Sequence, residues 1–109
     1  MGIFAKGEIV ILPFPFSDLT GIKRWPALVL SNPMGRDLIL CQITSQYAGD
    51  SYCIDLTVTD FIAGGLRLDS YIRPNKLFTA ASDSIITSSG KISKAKCEEV
   101  VDKILKIIS

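Results

Sequence analysis

Lys23-Arg24-Trp25-Pro26-Ala27-Leu28-Val29-Leu30 carries two cations and a tryptophan directly into a continuous apolar run. A run this short, closed by the turn chemistry of Ser31-Asn32-Pro33 and Gly35, reads as a buried strand over 27–30 with a basic entry. Outward from it the same pattern repeats. Gly7-Glu8-Ile9-Val10 opens a strand over 8–12, which Pro13 and Pro15 stop because proline has no ladder donor. Between that stop and Arg24 runs a connection of about a dozen residues, longer than compact domains usually carry and therefore a candidate functional loop. Leu38 to Ile43 makes a third strand that closes on Thr44-Ser45. Cys53 to Leu56 is a short fourth, and Thr59 to Ala63, before Gly64-Gly65, reads as a single helical turn. Ser70 to Arg73 and Lys76 to Thr79 are further strand pieces interrupted at Pro74.

The end of the chain changes period. Val100, Val101, Ile104, Leu105 and Ile108 fall on one face of a helix, Ser93 suits its N-cap, and Lys103 and Lys106 suit the negative end of its dipole. Glu99 with Lys103 and Asp102 with Lys106 are spaced for favourable pairs one turn apart. This helix is expected to cover an open end of the sheet, its charges forming a solvated face.

A chain of 109 residues is one domain, 1–109, too small for a deep enclosed active site. Its 48% hydrophobic content against 21% charged residues predicts a subunit interface, and so a homodimer. The net charge of +1 means that any nucleic-acid binding must come from local clustering. There is no histidine, which removes paired-histidine nucleases, serine triads and His-ligated metal enzymes. Cys41, Cys53 and Cys97 are odd in number and lack metal-ligand spacing, so free thiols in a reducing compartment are expected, with no metal and no cofactor. No apolar run of about 18 residues is present, and the first residues lack a secretory pattern. A cytoplasmic location without membrane contact is the expectation.

Two arginines, Arg24 and Arg73, and the pair Thr44-Ser45 stand at strand ends, a combination suited to an anionic phosphate. Each also has an ordinary structural reading. Arg73 can pair with a carboxylate at a strand end, Thr44-Ser45 can simply close a strand, and Lys23-Arg24 can be a solvated pair. Trp25 can be a core or interface aromatic rather than a stacking platform. Phe14 and Phe16 are expected to pack beneath the loop or across an interface rather than stack on a base. Asp69 and Asp18 are the carboxylates from which a general base would have to come, and neither is assigned.

The ordered set of segments, from Gly7-Glu8-Ile9-Val10 through the basic-Pro-Ala-Leu-Val-Leu strand, Ile43-Thr44-Ser45, Ser70-Tyr71-Ile72-Arg73 and the closing helix, resembles the MazF/PemK family of toxin endoribonucleases. The resemblance implies a mainly β fold, a small Src-homology-3-like β-barrel of the CcdB/MazF type with a C-terminal helix. It also implies a homodimer, metal-independent cleavage of single-stranded RNA by the ribose 2′-OH, and a cognate antitoxin whose tail blocks the groove and through which alone DNA is reached. Carried over residue by residue, it places Arg73, Thr44 and Arg24 in catalysis, with Ser45, Trp25, Lys23, Asn75 and Ser70 around the substrate. Arg73 would stabilise the phosphate and protonate the leaving group. Two positions depart from the family pattern. The arginine usual directly before the strand proline is Trp25 here, with Arg24 one place earlier and so on the opposite strand face. Arg73-Pro74-Asn75 has an amide where the PemK branch has a carboxylate, and an amide cannot accept a proton as a base. These departures leave open a catalytically degenerate dimer that binds RNA or antitoxin. Topoisomerase inhibition, which CcdB proteins perform through their terminal helix, fits less well because the tail Ile107-Ile108-Ser109 has no aromatic residue.

Overall fold

The computed structural model describes residues 4–13, 24–32, 36–47, 49 and 51–109. Its strands are β1 (Glu8–Pro13), β2 (Arg24–Ser31), β3 (Asp37–Thr44), β4 (Ile54–Leu56), β5 (Phe61–Gly64), β6 (Ser70–Ala81) and β7 (Thr87–Ile92), followed by helix α1 (Lys94–Ile108). All pairings are antiparallel, in the order β4-β6-β3-β2-β1-β7-β5. The principal extents of 31, 31 and 30 Å require that sheet to curl, since a flat sheet with one helix layer would be thin in one direction. The mainly β fold with a closing helix is as the sequence predicts.

Strand alternation divides the interior in two. Ile9, Leu28, Cys41, Ile43, Ile54 and Ile72 point into a first core that Cys97 and Val100 of α1 close. Val10, Leu12, Ala27, Val29, Leu38 and Leu40 form a second core on the other face, flanked by Trp25, Phe78 and Ile85. β3 passes from one to the other: its first half buries Leu38 and Leu40, its second half Cys41 and Ile43. This is why its apolar residues run together in the sequence instead of alternating.

Several boundaries differ from the sequence reading. β2 begins at Arg24 rather than Ala27, because Trp25 and Pro26 pair with Leu12 and Ile11 of β1. Pairing with β3 starts only at Ala27, so the missing N–H of Pro26 breaks no bond on that side. The two pieces either side of Pro74 are one strand. Cys41 faces Leu77 while its neighbour Gln42 faces Arg73, which leaves residues 74–76 as a bulge where proline needs no ladder partner. The helical turn is confined to Val58–Asp60, a 3-10 turn held by a Thr57–Asp60 capping box, and the chain then re-extends as β5. β7 has no counterpart in the sequence reading. Its Thr-Ser-Ser-Gly-Lys-Ile composition carries little strand propensity, and it is a strand because β1 and β5 pair with it on either side.

In α1 the Ser93 hydroxyl accepts from the Lys96 N–H at 3.2 Å, so the expected cap is present. The helix charges are not all solvated, however. Lys96 Nζ donates to the Asp55 carbonyl at 3.0 Å and lies 3.5 Å from Asp60 and 3.2 Å from Glu99. Glu99 therefore pairs with Lys96, not Lys103, and α1 is pinned to β4 and the 3-10 turn. Cys41 and Cys97 are buried free thiols and Cys53 is half-buried. No helix among the described residues is long and apolar enough to cross a membrane.

Candidate functional site

β2 begins, β3 ends and β6 begins at one rim of the curled sheet, and a groove of about 660 Å³ opens there. Arg24, Trp25, Thr44, Ser45 and Ser70 all line it, so five of the residues singled out in the sequence converge. Arg24 is exposed; Ile11, Pro26 and Ile43 floor the groove. The Thr44 hydroxyl accepts the Gln46 N–H at 3.1 Å, which occupies a lone pair and leaves the O–H proton free to donate into the groove. Trp25 packs against the second core, so the indole is anchored in the fold and only borders the groove. Ser70 is 5% exposed and its hydroxyl donates inward to the Leu68 carbonyl at 2.9 Å, a structural use of that side chain.

Arg73 does not line this groove. It lies with Gln42, Lys76, Leu77 and Phe78 in an adjoining pocket of about 390 Å³ beneath the Pro74 bulge. Register places the two sites side by side: Tyr71 faces Thr44, Arg73 faces Gln42, and Gln42 and Thr44 share a strand face one repeat apart. Thr44 thus stands between the Arg24 groove and the Arg73 pocket. Asn75 is exposed on the bulge and lines neither. Lys23, Asp18, Phe14 and Phe16 lie outside the described residues.

Sequence reasoning missed two contributors. One is the segment after β5, where Gly65, Leu66, Arg67 and Leu68 form the far wall of the groove together with Ser89. The other is the Tyr47–Tyr71 pair, an edge-to-face contact with centroids 5.5 Å apart, in which Tyr71 is the cross-strand neighbour of Thr44 and Tyr47 is 65% exposed. A Gly-Gly pair followed by Leu-Arg-Leu was the available signal for the first.

The thiols take no part in the groove. Burial pushes Cys41 far above the ordinary thiol range, with a smaller contribution from Cys97. Burial also raises Cys97, with Glu98 acting in the same direction and Lys6 and Lys91 opposing it. Among the described residues, no group of three or more His, Cys, Asp or Glu side chains is placed to hold a metal ion.

Residues 5–108 match the family described as PemK-like, MazF-like toxin of type II toxin-antitoxin system. The chain belongs to this family. The PemK/MazF fold accounts for the sheet curl and the closing helix, and solved structures agree with it. MazF from Deinococcus radiodurans superposes with a TM-score of 0.78 at 20% identity, covering 99% of this chain and 98% of that one. The MazE–MazF complex from the same organism gives 0.78 at 20% identity over 98% and 97%. An endoribonuclease in complex with its cognate antitoxin from a Mycobacterial species gives 0.72 at 13% identity over 93% and 90%. Comparison with curated proteins gives no match.

Proposed function

We propose that this PemK/MazF-like toxin is an endoribonuclease that cleaves single-stranded RNA in the groove at the ends of β2 and β3, and that a cognate antitoxin neutralises it. The observation that carries the reading is the convergence of the Arg24 cation with the free hydroxyl donors of Thr44 and Ser45 on one open, partly apolar surface. The ribose 2′-oxygen attacks the adjacent phosphorus as its proton passes to solvent water. The P–O5′ bond then breaks and the leaving oxygen gains a proton, giving a 2′,3′-cyclic phosphate and a 5′-hydroxyl end. Charge grows on the phosphoryl oxygens in that step, and fixed donors aimed at it supply the largest share of such catalysis. Arg24 and the Thr44 and Ser45 hydroxyls meet those oxygens. Arg73, on the face of Thr44, reaches the phosphate from the adjoining pocket and is the family-like proton donor to the 5′-oxygen. Trp25 borders the groove, and the Tyr47–Tyr71 pair lies outside it as the cross-strand neighbour of Thr44; aromatic faces accept any base, so both are candidate stacking surfaces for neighbouring nucleotides. With no histidine in the chain, this donor set works without an imidazole, and the proposed reaction needs no metal. The active species is a homodimer, supported by the large apolar side chains Ile39 and Leu77 left exposed on adjacent strands.

The test is incubation of the purified protein with a long single-stranded RNA in EDTA, comparing wild type with Arg24→Ala, Thr44→Ala and Arg73→Ala and mapping the new ends. Discrete fragments with 5′-hydroxyl ends, lost in the variants, are expected. Intact RNA at high concentrations of folded protein would overturn the nuclease reading. It would leave the binding module, which the anchoring of Trp25 in the family's arginine position favours.

A further inference from the structure

The far wall of the groove is a short segment tied down at both ends. At Gly65 the Ser89 hydroxyl donates to the carbonyl at 2.6 Å and the Gly65 N–H donates to the Ser89 carbonyl at 3.1 Å. At Leu68 the carbonyl accepts the buried Ser70 hydroxyl at 2.9 Å. Glycines permit this closeness. A Cβ on Gly64, where φ is +65°, would fall 2.2 Å from the Ser89 carbonyl oxygen, and one on Gly90 would fall 2.5 Å from the Ala63 carbonyl oxygen. β5 and β7 therefore touch backbone to backbone, and the segment that leaves β5 is held against the rim. Between its two ties it presents Arg67 to the groove, exposed and facing the same space as Arg24, Thr44 and Ser45.

We propose that Arg67 is a positioning residue that clamps a backbone phosphate of the bound single strand one or more nucleotides away from the scissile one. This rests on the nuclease reading for its substrate. Guanidinium matches phosphate in a two-pronged geometry, and a segment already fixed at both ends loses little freedom when it binds. With a net charge of only +1 the chain has no general attraction for a polyanion, so individual groove cations carry the binding. Arg67 is the second cation, besides Arg24, among the described residues that line the groove.

The experiment measures cleavage of single-stranded RNA and, separately, binding of a fluorescent all-2′-deoxy single strand across a salt series. It compares wild type, Arg67→Ala, Arg67→Lys and Lys94→Ala. Arg67→Ala is expected to raise KM about tenfold with kcat nearly unchanged, the size of one charge-assisted contact. It should also lower the steepness of log K against log salt by about 0.7, one phosphate contact on a single strand. Arg67→Lys should keep the salt slope and recover part of the affinity. Lys94→Ala removes the same charge at the start of α1 and should change neither. Wild-type KM and salt slope in Arg67→Ala, while wild type cleaves RNA, would overturn the clamp and leave the nuclease reading intact. No cleavage by wild type, with a salt slope that Arg67→Ala still lowers, would overturn the nuclease reading and support the contact. Failure of wild type to bind the single strand at all would overturn the clamp.

Discussion

At the scale of single residues, what a side chain can do is set by which of its hydrogen-bonding capacities the fold has already used. Thr44 and Ser70 illustrate the contrast. Both are hydroxyls at the groove, but Ser70 spends its proton on the Leu68 carbonyl, whereas Thr44 spends only a lone pair on Gln46. Thr44→Val, nearly the same shape without the hydroxyl, should therefore lower kcat on RNA on the order of a hundredfold, the scale of one lost oxyanion donor, with an unchanged circular dichroism spectrum. Wild-type turnover in Thr44→Val would show that the chemistry lies elsewhere. Cys41 gives a prediction of another kind. Burial raises its thiol in the folded state, so the folded protein holds this proton at pH values where the unfolded chain releases it. The unfolded chain then binds fewer protons, and stability must fall as pH rises beyond the ordinary thiol value of about 8.5. Below that value the contribution is fully present. Urea midpoints measured from pH 7 to pH 10 should decline more steeply in wild type than in Cys41→Ala; parallel curves would mean that the thiolate costs nothing in the fold.

Elements are where the sequence was most and least legible. α1 announced itself because it buries one regular apolar face, β1 and β3 because each is a short apolar run shared between the two cores, and Ser93 capped the helix as its chemistry requires. β7 did not, because its residues are chosen for closeness and not for burial: Gly90 admits the β5 backbone and Ser89 ties down Gly65. The same fact hid Arg67. Arg24, Thr44 and Ser45 could be found as polar groups at strand ends, since their positions follow from their own strands. Arg67 reaches the groove only through a contact between β5 and β7, which no local pattern encodes. Arg73 lies outside the groove for a related reason, as the bulge at residues 74–76 sets it in a separate pocket. Gly90→Ala tests the closeness directly. Its Cβ would meet the Ala63 carbonyl oxygen and, at 2.9 Å, the Gly65 nitrogen, both backbone atoms that cannot swing aside. Urea unfolding should show a loss of about 1–3 kcal/mol, and the groove wall should loosen with it, raising KM for RNA. Gly49→Ala, where nothing lies within 4 Å but φ is +77°, should cost only about 1 kcal/mol from backbone strain and leave KM alone.

The whole molecule poses a question that neither core answers. Ile39 and Leu77 belong to the face of the first core, because Cys41 is the cross-strand partner of Leu77 and Ile39 lies one repeat along from Cys41. Cys41 is fully buried, yet Ile39 is 38% and Leu77 43% exposed. The core therefore ends between Cys41 and Ile39, and the apolar face continues past it with these two side chains left partly open among the described residues. A second copy seated there would bury both side chains and explain why a chain of this size is 48% hydrophobic. Ile39 is also five positions from Thr44 along β3, about 17 Å, so a change at Ile39 leaves the groove residues in place. Ile39→Asp puts a charge on a position already open to water, which the monomer tolerates and a dry interface does not. Light scattering should give twice the chain mass of 11.9 kDa for wild type and the single mass for the variant. Because association stabilises the folded state by mass action, the wild-type melting temperature should rise with protein concentration and that of Ile39→Asp should not. Equal masses and equal concentration dependence in the two proteins would place the dimer contact on another face.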